Sequence, residues 1–126
     1  MKKSATAALG VVLIFGTSVT AIAHHSAAPF DFSQRVVIEG KVKEMRIINP
    51  HAFIVLEVTD EERGTRDIEF EGMSASIFYR SGYYNGAVEV GDVIAVTIAP
   101  RHSGEDGGFI SSFVTAKDEE FGFGVP

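Results

Sequence analysis

The chain has 126 residues, with 11 basic and 17 acidic side chains and a net charge of −6, so the basic footprint of a nucleic-acid binder is missing. It contains no Cys, which excludes a disulfide framework, a zinc-thiolate centre and thiol chemistry. His, carboxylate, Met and backbone groups are left as metal ligands. A hydrophobic fraction of 45%, with 10% aromatic residues, suits a single small domain with one modest core.

Residues 1–23 read as a cleaved secretory signal. Lys2 and Lys3 form the charged start, residues 7–19 an apolar run, and Ala21-Ile22-Ala23 a small-x-small cleavage site. Gly10, Gly16, Thr17 and Ser18 interrupt the run, which is shorter than the roughly 20 apolar residues of a spanning helix. No Cys follows it to carry a lipid anchor. Removal of the signal leaves 103 residues of net charge −8, because two lysines and no acids are lost. The expected product begins at His24 and lies in the periplasm, with no membrane insertion and no nucleic-acid partner.

Residues 24–35 have small and polar residues and no sustained period, which predicts an arm pinned to the core by Phe30 and Phe32. Residues 36–48 are rich in branched side chains and alternate around Gly40, predicting a long strand with a bulge or strong bend at the glycine. Asn49-Pro50 signals a turn and residues 52–59 a second strand. The polar segment 60–64 signals a hairpin turn, and residues 65–71 a third strand. Residues 73–79 place Met73, Ile77 and Phe78 at helical spacing, with Gly82 as a stop. Residues 93–99 and 109–116 are two further strands around a glycine-rich loop, and residues 118–126 read as a loose acidic-aromatic tail.

The expected architecture is mainly β: a small five-stranded OB-like barrel over residues 36–117, with one short helix between strands three and four.

Taken together, His24-His25-Ser26, Phe30-Asp31, Gly40, Asn49-Pro50-His51-Ala52, Arg80-Ser81-Gly82 and Gly91-Asp92 carry a resemblance. The chain resembles, over residues 21–116, a family of small secreted bacterial proteins of unknown function with a mature His-His-Ser start and an Asn-Pro-His-Ala motif. The resemblance implies a secreted, OB-like domain and no particular activity. Relatives often place a Trp after the Asn-Pro-His-Ala motif. This chain has none, and Phe53, Phe70 and Tyr83 stand as its substitutes.

Three histidines form the candidate metal site. Cleavage after Ala23 gives His24 an α-amine beside its imidazole, a chelating pair, and His25 adds a second ring. An α-amine with a reference pKa near 8 is partly neutral at pH 7, and nitrogen-rich sites favour Cu(II) or Zn(II) over Mg(II) or Ca(II), with Cu(II) leading. His51, held at the mouth of the Asn49-Pro50 turn, is the candidate third ligand. The alternative reading has His51 donating to a turn carbonyl and the His24-His25 start as plain polar sequence. His102 lies in the glycine-rich loop, and Asp31 is a candidate either to orient a ligand ring or to anchor a turn.

Enzyme readings are weaker. Ser26 beside His25 is no catalytic triad. Glu39, Glu57, Glu69 and Glu71 alternate as a solvent face does, and no phosphate-binding loop is present. The preferred reading is a non-enzymatic periplasmic binding module. One rival is an interaction or accessory domain using the barrel face and Tyr83-Tyr84 against a periplasmic protein. The other is an accessory part of a copper-dependent oxidoreductase.

Overall fold

The computed structural model describes residues 29–125. Its elements are β1 (Val36–Arg46), β2 (Phe53–Asp60), β3 (Gly64–Glu71), α1 (Ala75–Arg80), β4 (Val93–Pro100), β5 (Gly108–Val114) and β6 (Glu120–Gly122). The sheet order is β3-β2-β1-β4-β5-β6, and a parallel pairing of Glu71 with Phe109 joins β3 to β5. That pairing closes the first five strands into a barrel. With β1 shared between two antiparallel neighbours and the helix between β3 and β4, this is the OB-fold arrangement expected from the strand order.

β1 pairs with β4 along Val36 to Lys41 and with β2 along Lys41 to Arg46. Gly40 stands at the change of partner. A Cβ there would lie 2.8 Å from the Glu57 carbonyl oxygen and 2.9 Å from the Leu56 Cβ. The glycine therefore admits β2 at close approach, while the bulge expected around it falls further on, between Val42 and Glu44.

β2 and β3 pair in unbroken register from Phe53↔Glu71 to Asp60↔Gly64. Their turn is set locally. The Asp60 carboxylate accepts the backbone N–H groups of Glu62 and Arg63, and Gly64 takes the positive φ of 70° that ends it. The β1–β2 connection, residues 47–52, is longer than the tight turn expected from Asn49-Pro50. It is tied to the β3–α1 segment by hydrogen bonds from Ala52 N to Met73 O and from Ala75 N to Ile48 O.

Ser74 caps α1 by accepting from Ile77 N, so the helix begins two residues later than its apolar spacing suggested. It buries Ala75 and Phe78. The Phe78 ring stacks at 4.0 Å on Phe123 and lies near Tyr83 and Phe113. The expected loose tail is corrected here. β6 pairs with the end of β5, and Phe121 and Phe123 are buried in the core. Burial of two such rings contributes about 1.5–3 kcal/mol each, enough to hold a strand of three residues against its ordering entropy. The folded domain thus runs past residue 117. Among the described residues no helix is long and apolar enough to cross a membrane.

Candidate functional site

The arm enters beside β4. Phe30 forms an isolated bridge with Arg101, is buried with Ala99 and Phe109, and lies 5.5 Å ring to ring from Phe109. The Arg101 guanidinium covers its other side, 5.3 Å from the ring centre. Phe32 packs on the same cluster at the edge of Phe109. Both phenylalanines pin the arm as their spacing suggested.

His51 stands against that same ring, 6.3 Å from the Phe109 centroid and edge-on. Its Nδ1 faces the Glu71 carboxylate, and both side chains are half-buried. Strand register explains the pair. Phe53 lies opposite Glu71, so the residue two positions before Phe53 falls on the same face as a diagonal neighbour of Glu71.

A carboxylate on Nδ1 orients an imidazole and places the ring lone pair on Nε2, as metal-ligating histidines commonly require. Of the two readings of Asp31, orienting a ligand ring or anchoring a turn, its contacts fit the second. Its carboxylate accepts the Ser33 hydroxyl and backbone N–H and the Gln34 amide, and these bonds hold it below the usual carboxylate range. It anchors the arm's turn.

His102 is exposed in the β4–β5 loop, its backbone N–H donating to the Pro29 carbonyl at 2.9 Å. The loop therefore abuts the arm, yet no contact joins His102 to His51 among those described. His24 and His25 lie outside the described residues. Among the described residues no three His, Cys, Asp or Glu side chains converge to hold a metal.

Glu71 departs from the solvent face expected of the strand acids, whereas the others keep to it. Glu57 is bonded by Lys41 and Lys43, which hold its carboxyl below the usual range, and Glu69 pairs with Arg46. The Tyr83-Tyr84 contact surface is corrected. Tyr83 is buried among Phe78, Phe113 and Phe121, and burial pushes its phenol up. Tyr84 is half exposed and donates to Glu119. Of the proposed Trp substitutes, Phe70 and Tyr83 are core residues, whereas Phe53 lies under the Arg46 guanidinium at 4.8 Å.

Fold and site together define a small closed OB barrel with a pinned N-terminal arm beside an oriented histidine. The sequence profile of a family of unknown function (DUF6152) matches residues 12–111, and the chain belongs to that family. No curated protein matches it significantly. Among solved structures it is similar to Rim1, a mitochondrial single-stranded DNA binding protein from S. cerevisiae. Identity is 11% and the TM-score 0.48, over 65% of this chain and 92% of that one. It is also similar to a ZRD-deleted mutant of TiaS in complex with agmatine. Here identity is 16% and the TM-score 0.45, over 72% of this chain and 22% of that one.

Proposed function

We propose that the protein is an exported, non-enzymatic binding module that holds one Cu(II) ion between its processed N-terminus and the barrel. His24 supplies its α-amine and imidazole, His51 supplies Nε2, and His25 is a further nitrogen within the same short segment. The observation that carries the reading is the His51–Glu71 pair beside the ring that anchors the arm.

Reach supports it. Phe30 and His51 contact one ring at 5.5 and 6.3 Å, so their ring centres lie within about 12 Å of each other. The five residue steps from Phe30 back to His25 span up to roughly 16–18 Å when extended. A nitrogen-only donor set with an open coordination sphere suits Cu(II), and Cys is absent throughout. Glu71 then acts as the carboxylate that keeps the His51 ring in register with the ion.

Cu(II) titration by calorimetry, on protein beginning at His24, tests this. His24→Ala, or one Gly placed ahead of His24, is expected to abolish tight binding, because either change breaks the shared chelate of amine and ring. His51→Ala and Glu71→Gln are expected to weaken binding about 10–100-fold, the usual cost of losing a ligand or its orienting carboxylate. His102→Ala is expected to leave it unchanged. Equal affinity across the series, or none in the parent, overturns the reading.

A further inference from the structure

Along β3 the barrel is open. A cavity of about 250 Å³ enters there, between the β2–β3 turn and the β4–β5 loop. Its floor is apolar, made by Val36, Ile38, Val58, Ile68, Phe70 and Ile98. Its rim carries Asp60, Arg63, Arg66, Glu105 and Asp106. At about 30 Å³ per water this volume equals roughly eight waters, the size of one ring or a short alkyl chain.

The wall is fixed in place. Arg66 binds Asp106 through Nε at 2.6 Å and through Nη2 at 3.1 Å, and it also binds Asp60. Arg63 reaches Asp106 at 3.0 Å. Gly107 then lets the loop run tight along β3, because a Cβ there would lie 3.0 Å from the Glu69 carbonyl oxygen and 2.9 Å from Arg101 Nε. Its φ of 109° also favours glycine. The mouth is therefore built before any ligand arrives.

The rim charges decide what fits. Both arginines already share their charge with carboxylates of the chain, so an anionic ligand must compete with Asp60 and Asp106 for them and meets the like charge of Glu105. Glu105 differs: its carboxylate accepts the Ser103 hydroxyl, and no cation pairs with it among the described ion pairs. An incoming ammonium meets Glu105 and displaces nothing. The net charge of −6 favours the same sign of ligand.

We propose that this cavity binds a small molecule with an apolar body and a single ammonium group, the body on the Val36–Ile38–Ile98 floor and the ammonium at Glu105. The site is independent of the copper reading and shares no residue with it.

The experiment titrates protein beginning at His24 with benzylamine, benzyl alcohol and benzoate at pH 7, following the Val and Ile methyl signals by NMR. Saturable shifts of the Val36, Ile38, Val58, Ile68 and Ile98 methyls are expected with benzylamine. Its Kd is expected to be at least about threefold lower than that of either isostere, the gain an exposed charge pair supplies. Glu105→Gln, an exposed change that spares the fold, is expected to erase that preference and leave Cu(II) affinity unaltered. Equal or tighter binding of benzoate or benzyl alcohol, an unchanged preference in Glu105→Gln, or no saturable shift with benzylamine overturns the proposal.

Discussion

His51 matters through the carboxylate on its Nδ1, and Gly40 matters through what it lacks. Where β1 changes partner, a single Cβ would press on the Glu57 carbonyl and the Leu56 side chain, both parts of an adjacent strand that cannot swing aside. Gly40→Ala is therefore expected to destabilise the fold by about 1–3 kcal/mol, as forced overpacking does. Urea denaturation measures it, and an unchanged or raised midpoint would show that β2 yields at no cost. The glycine's importance was legible in the sequence, because an isolated glycine inside an alternating run marks a close approach or a bend. Its partner atoms were not, since they lie on another strand.

Among the elements, the β4–β5 loop shows how charge fastens a glycine-rich segment. Arg66 and Arg63 hold the Asp106 carboxyl below its usual range. Backbone N–H donation from Arg63, together with Arg66, does the same for Asp60. A carboxyl whose folded value is depressed stabilises the fold above its ordinary value of 3.8. That stabilisation is lost as pH falls through the folded value. Thermal unfolding is thus expected to hold steady from neutrality to about pH 4–5 and to fall below about pH 4. Arg66→Ala is expected to lower Tm at pH 7 and to converge with the parent in acid. A constant gap between the two at all pH values would contradict the clamp. The loop's glycines and charges were plain in the sequence, but the partners of Asp106 were not, because they lie 40 or more residues away across the β3–β5 gap.

The C-terminal segment teaches the same lesson. Phe121 and Phe123 have the period of a strand, one face facing the core, yet two apolar positions around Gly122 fall below the length at which alternation outweighs a polar, glycine-containing context. Tyr83 failed for a related reason. Adjacent tyrosines suggest a surface pair, and only the rings of Phe78, Phe113 and Phe121 reveal that one of them is enclosed.

For the molecule as a whole, strand order and the place of the helix were legible because β1 to β5 each carry branched or alternating residues between turn signals, which is what closes an OB barrel. The candidate site was legible only in part. His51 and the pinning phenylalanines could be named from local sequence, whereas Glu71 was assigned to the solvent face because its role depends on the β2–β3 register. The barrel supplies two features of different character, an oriented histidine beside the arm and an apolar cavity with a charged rim along β3.

The copper account can be read directly by NMR on labelled protein beginning at His24, with Cu(II) added below one equivalent. The paramagnetic ion is predicted to broaden the signals of His51, Phe109 and the arm around Phe30, while residues 61–64, at the far end of β3, stay sharp. Broadening centred on another region, spread evenly over the protein, or absent would contradict it.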